Sequence, residues 1–254
     1  KEPCQVLNCR YDYSFDQYGN CTVRQTRYRV VRRGFVEWEY PVHEDIKPIR
    51  PTKLGECARA DTWVEHARGD HEHDDRSAAR NLWIMEQYQE RGGVMNDRLW
   101  QNIGSSCAIL KQYEKAIEAF GRSLACRAGN PETDFVSLIR LADCFRNLAR
   151  WEDAKLAMAQ ALLLFPDRTI PHMALAEFCN ATGEPEKALT WVALGEKVGG
   201  DLDSLIWNPA CAQAVPAQVR AIAAMQRNNL PEAKKHYEVL AKLYPGNPDV
   251  KMAL

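Results

Sequence analysis

The 254-residue chain has no run of eighteen apolar residues, so no segment of it is built to span a bilayer as a helix. It has no excess charge either: 33 Lys and Arg stand against 34 Asp and Glu, a formal net charge of −1. That balance removes the bulk attraction that draws nucleic acid or an anionic membrane to a protein. Its nine cysteines include no CxxC pair, and an odd, scattered set is neither a disulfide framework nor a structural zinc site. Cys107, Cys144 and Cys179 fall on apolar helical faces, where a thiol acts as a small hydrophobe, and a thiol-rich chain is expected in the cytoplasm. Two Asn-x-Thr triplets, at Asn20 and Asn180, read as chance occurrences on the same ground. The opening "KEPCQVLNCR" lacks an initiating Met and a hydrophobic leader core, so the chain is expected to be a processed product or a piece of something longer.

What is present divides in two. Residues 1–75 are rich in aromatic and β-branched residues, proline and arginine. "CTVRQTRYRVVRR" reads as a strand, "DQYGN" before it as a turn and "DTWVEHA" as one more short strand. "KPIRPTKLGE", with two prolines, is expected to be irregular, and these pieces are too few to close a sheet by themselves. From Asp75 the texture becomes helical. "DDRSAARNLWIMEQYQER" opens with acids that suit a helix N-terminus and carries Leu82, Trp83, Met85 and Tyr88 as an apolar stripe. It ends at Gly92-Gly93, and residues 76–96 are read as a connecting helix.

Residues 97–254 repeat. Ala116, Ala154, Ala188 and Ala233 recur at steps of 38, 34 and 45 residues. Twelve residues before each stands a small residue, Gly104, Ala142, Ala176 and Ala221, and four after each stands Phe120, Met158, Val192 or Tyr237. Small residues in both helices of a pair let the two axes approach, while the large one fills the space to the next pair. The pattern resembles the tetratricopeptide repeat, in about four units. The fold expected is mainly α, a right-handed solenoid of helix pairs with a small mixed α/β segment at its N-terminus. The long last step, "GGDLDSLIWNPACAQA", is expected to hold a longer helix or a loop carrying Trp207. The resemblance implies a groove lined by the first helix of each pair, offering Gln101, Ser105, Ile139, Asp143, Arg146, Asn147, Met173, Glu177 and Asn180. The basic-plus-Asn pattern that clamps a peptide's C-terminal carboxylate is missing, and Asp143 and Glu177 oppose it.

The N-terminal part packs five arginines into residues 24–33 and then runs through "GFVEWEYPVHED". Arginines grip diphosphate oxygens in bidentate fashion, and a neutral imidazole can complete the shell of a divalent metal. "RYRVVRRGFVEWEYPVHE" resembles the C-terminal end of the nucleotide-sugar-binding domain of family-2-type glycosyltransferases. "YDYSFDQYGN" resembles the turn before the Arg strand, and some members continue into tetratricopeptide repeats. The resemblance implies donor or acceptor binding by Arg29, Arg32 and Arg33, sugar stacking by Trp38, a metal contact (Mn or Mg) by His43, and a catalytic or acceptor-contacting carboxylate at Glu44. The implied substrates are a nucleotide sugar and a glycan or protein acceptor, joined with inversion.

The nucleotide-binding half with its Asp-x-Asp metal site is missing from the sequence, so this chain alone is not expected to turn over a nucleotide sugar. The competing expectation is a non-catalytic scaffold that binds a protein partner or itself through the repeats. Nucleic acid is a weaker alternative, since the Arg strand makes no broad basic face. In "HARGDHEHDD", His66, Asp70, His71, His73, Asp74 and Asp75 could chelate a metal, but a solvated acidic loop ahead of a helix is the plainer reading.

Overall fold

The computed structural model describes residues 6–15, 21–31, 33–34, 36–39, 41–42, 45–49, 58–65, 72–126, 130–198, 206–207 and 210–252. The Arg-rich segment is a strand, β2 (Cys21–Val31), paired antiparallel with β1 (Val6–Phe15). Their Val, Tyr and Thr content suits a pleated surface. Tyr11–Phe15 thus continues β1, pairing with β2 through register shifts, and the rest of the stretch read as a turn, residues 16–20, lies outside the described residues. A short hairpin of β3 (Val36–Glu39) and β4 (Asp45–Pro48) follows, with Trp38 opposite Ile46. β5 (Ala58–Glu65) joins β1 in parallel.

The long last step of the repeat supplies the remaining strand. β6 (Ile206–Trp207) pairs with β2 at Arg24 and Gln25, giving a four-stranded sheet in the order β5-β1-β2-β6. The N-terminal strands that seemed too few are completed by a segment far along the chain. Trp207 lies on this strand, and not in a longer helix.

The helices run α1 (Glu72–Glu90), α2 (Asp97–Ile109), α3 (Tyr113–Leu124), α4 (Pro131–Asn147), α5 (Trp151–Leu164), α6 (Thr169–Ala181), α7 (Pro185–Gly195), α8 (Ala210–Gln226), α9 (Leu230–Leu243) and α10 (Pro248–Met252). From α2 to α9 they form four pairs, α2/α3, α4/α5, α6/α7 and α8/α9. The repeat alanines are buried to 2 % exposure or less, as are Ala142, Ala176, Ala221, Phe120, Met158 and Val192. At Gly104 an added Cβ would stand 2.7 Å from the Phe120 ring, so this close approach demands glycine.

The turn inside each pair is built alike. Five residues before the repeat alanine the backbone is left-handed: Lys111 (φ 59°), Ala149 (55°), Gly183 (75°) and Asn228 (56°). The next residue's amide then donates to a carbonyl five residues back, Gln112 to Cys107, Arg150 to Phe145, Glu184 to Cys179 and Asn229 to Ala224. Gly and Asn take this conformation cheaply, whereas Lys and Ala do so at a cost.

Candidate functional site

The first helices α2, α4 and α6 pack their apolar residues against α3, α5 and α7 and leave a polar strip on another side. Gln101 and Ser105 on α2, Ile139 and Asp143 on α4 and Glu177 on α6 are half-buried, and Arg146 and Asn147 are exposed. Arg146 pairs with Asp143 at 3.1 Å, and the Asn147 amide donates to the Asp143 carbonyl at 2.7 Å. Burial pushes the Glu177 carboxyl above the usual carboxylate range; the Arg146 charge opposes that shift and Asp143 adds to it. Seven predicted groove residues, Gln101, Ser105, Ile139, Asp143, Arg146, Asn147 and Glu177, therefore remain accessible, and Asp143, Arg146 and Glu177 form one charged group.

Two others do not belong to the groove. Asn180 is only 5 % exposed: its amide donates to the Val219 carbonyl of α8 at 2.9 Å, and its own carbonyl accepts from Gln226 at 2.8 Å. It ties the third pair to the fourth, which also puts its Asn-x-Thr triplet out of reach of glycosylation. Met173 is 1 % exposed and packs against Gly195, where a Cβ would meet its methyl at 2.7 Å. Sequence position alone places both residues on the groove side. α8 packs against α6 and covers Asn180, and Met173 fills the space left by the missing side chain at Gly195.

Charge also closes the step from the second pair to the third. Arg168, 8 % exposed, holds both carboxylate oxygens of Glu132, one at 3.0 Å, with its guanidinium 3.6 Å from the Phe165 ring centre and 4.3 Å from that of Phe135. The two rings stand edge to face, 85° apart, so the guanidinium rests against both from adjoining sides while its N–H groups bind Glu132. At the far ends of α5 and α6, Lys155 donates to Glu184 at 2.5 Å and to Thr182 at 2.9 Å, while Lys187 pairs with Glu184 from the other side. These hydrogen bonds, led by that of Lys155, hold the Glu184 carboxyl down at about 2. No sequence motif marks Arg168, Glu132 or Lys155, because their partners come from neighbouring repeats.

Cys107, Cys144 and Cys179 are buried and free, and burial pushes the Cys144 thiol up to about 11, so they serve packing and not nucleophilic chemistry. A cavity of about 270 Å³ between Pro41 and α1 is lined by Trp83, Ile84, Gln87, Tyr88, Arg91 and Gly93. Trp83, read as part of an apolar stripe, is 61 % exposed at its mouth.

Of the residues implied by the glycosyltransferase resemblance, Arg32, His43 and Glu44 lie outside the described residues. Arg29 lies in β2 at a register shift against β1, Arg33 is exposed in the turn at Gly34, and Trp38 lies in β3. Of "HARGDHEHDD", His66, Asp70 and His71 are likewise outside, while Asp75 is exposed in the first turn of α1. Among the described residues no three His, Cys, Asp or Glu side chains converge as a metal site. No described helix is long and apolar enough to cross a membrane.

A family model described as "Tetratricopeptide repeat" matches residues 137–168. Those residues carry most of α4, all of α5 and the closing Arg168. No curated protein matches the sequence. Among solved structures the chain is similar to a tetratricopeptide repeat protein from Parabacteroides merdae, with 14 % identity and a TM-score of 0.56 over 71 % of this chain and 66 % of that one. The chain thus spans just under two thirds of that protein. It is also similar to PilF of Pseudomonas aeruginosa, with 17 % identity and a TM-score of 0.52 over 70 % of this chain and 78 % of that one. A third is YrrB, titled a TPR protein with an unusual peptide-binding site, with 14 % identity and a TM-score of 0.50 over 72 % and 84 %. At such identities the likeness establishes the fold. With its family match, its paired helices and the same turn in each pair, the helical part of the chain is a tetratricopeptide-repeat solenoid.

Proposed function

We propose that the protein is a protein–protein interaction scaffold whose groove, on the first helices of the pairs, holds an extended segment of a partner protein. The observation that supports this is the division of those helices. Leu99, Ile103, Leu138, Ala142, Leu175 and Ala176 are buried in the packing, while Gln101, Ser105, Asp143, Arg146, Asn147 and Glu177 are left accessible along three successive helices. A polar strip on a rigid curved frame suits a peptide that offers both backbone groups and charge. YrrB, titled as having an unusual peptide-binding site, adds a precedent at the level of fold only. The free, buried thiols fit a reducing compartment, and we place the protein in the cytoplasm on that ground.

The glycosyltransferase reading has less support. The family match and the solved structures above concern the repeats, and the described residues bring none of its candidate groups together into a site.

The test is selection of a phage-displayed random dodecapeptide library on the full chain. The enriched peptide is then titrated by calorimetry into wild type and a Ser105→Trp variant, whose indole fills the strip between α2 and α4. Binding in the micromolar range, about −8 kcal/mol, is expected for wild type and lost in the variant at unchanged melting temperature. Equal binding by both would place the interaction off the groove.

A further inference from the structure

Along the proposed groove, acceptors outnumber donors at one place. Glu177 is half-buried on α6, and among the described residues its carboxylate has no hydrogen bond and no ion pair within 4 Å. The nearby cation, Arg146, is already paired with Asp143 at 3.1 Å, so the three side chains together carry one uncompensated negative charge. Groups taken half out of water without a donor are a liability to the fold unless something supplies one. At two other carboxylates of this solenoid the corresponding demand is met within the chain, by Lys155 and Lys187 for Glu184 and by Arg168 for Glu132.

We infer that Glu177 is the specificity-determining residue of the groove, and that it takes the ammonium or guanidinium of a lysine or arginine in the bound peptide. The inference rests on the groove reading above and narrows it to a basic partner segment. A peptide C-terminal carboxylate or an acidic segment would face Asp143 and Glu177 and add to the excess. A lysine or arginine brings the missing donors and cancels the spare charge, and Arg146 remains with Asp143. The Lys155–Glu184 pair shows the arrangement this solenoid already uses inside one of its own junctions.

The same dodecapeptide library tests it, selected in parallel on the full wild-type chain and on Glu177→Gln. Wild type is expected to enrich peptides with a lysine or arginine at a fixed position, and the enriched peptide to bind Glu177→Gln about tenfold more weakly. Glu186→Gln removes an exposed charge from α7, away from the strip, and should leave binding unchanged. Replacing the peptide's basic residue by norleucine tests the same contact without touching the protein, and should cost the same factor. Enriched peptides without a basic residue, bound equally by Glu177→Gln but lost in Ser105→Trp, would overturn the inference and leave the groove reading standing. An equal loss in Glu186→Gln would reduce the effect to general attraction of cations and overturn it too. Failure to enrich any peptide would overturn both readings.

Discussion

The junction between the second and third helix pairs and the junction between the third and fourth solve one problem in two ways. The 34-residue step is sealed with charge, Arg168 resting against the rings of Phe135 and Phe165 and locked to Glu132. The 45-residue step sends its extra residues out to add β6 to the N-terminal sheet, and is sealed by an amide, Asn180 to the α8 carbonyl of Val219. Its own ion pair, Arg220 with Glu196, is 31 % exposed on the arginine side and 41 % on the glutamate side. A short step leaves little room, so its polar groups are buried and must be fully partnered. A long step has a strand to anchor it, and its charges can stay in water.

The sharpest way to break this contrast is at Arg168. Arg168→Ala strands the partly buried Glu132 carboxylate and uncovers two rings, and should cost about 2–3 kcal/mol, below the usual range for a buried pair because Glu132 keeps some solvent. Chemical denaturation of the full chain measures it. A loss under about 0.5 kcal/mol, the scale of an exposed ion pair, would mean the junction is held by shape alone. At the other junction Asn180→Ala removes the donor to the Val219 carbonyl, and should cost about 1–2 kcal/mol. Hydrogen exchange should show the loss first in the amides of α8, whereas Arg168→Ala should expose α4 and α6 together.

How far this was legible in the sequence follows from where each partner lies. The recurring alanines and the large residue four positions on lie within one unit, so the helix pairs, their order and their buried faces could be read directly. β2 and β5 were legible from composition, since β-branched and aromatic residues cluster there. β6 was not, because two residues, Ile206 and Trp207, carry no alternating pattern and their partner is about 180 residues earlier. Helix phase alone is enough to leave Gln101 and Asp143 accessible on the first helices. It fails where a neighbour decides exposure, as α8 does for Asn180 and Gly195 for Met173. The Arg-rich segment misled in a different way: arginines near an aromatic and a histidine suit many chemistries, and their residue types alone do not fix a site.

The turns sharpen the comparison from inside the pairs. Ala149 holds φ 55° where the equivalent residue in the third pair is Gly183. Ala149→Gly should stabilise the fold by up to about 1 kcal/mol, relief of strain exceeding the added freedom of the unfolded chain. Gly183→Ala should do the reverse. Arg220→Ala, at the open junction, should change stability by no more than about 0.5 kcal/mol. A loss as large as that at Arg168 would erase the distinction between the two steps.

The smallest effect is the one with a sign to it. Glu184 and Glu177 are seven residues apart, and their environments push them in opposite directions. Glu184, held at about 2 by Lys155, Lys187 and Thr182, contributes stability that is present above the ordinary value of 4.5 and lost as pH falls toward 2. Glu177, raised by burial, contributes nothing below 4.5, where both folded and unfolded chains hold its proton. As pH rises from 4.5 through its folded value, the unfolded chain gives up that proton more readily, and the folded state loses ground. Glu177→Gln should therefore melt higher than wild type at pH 7, with the gain shrinking to nothing below pH 4.5. Glu184→Gln should melt lower at pH 7, with its deficit closing as pH falls toward 2. Scanning calorimetry of both variants across pH 2–7 separates the two. A Glu177→Gln chain that melts lower at neutral pH would show the carboxylate already satisfied inside the fold, leaving a basic partner nothing to complete.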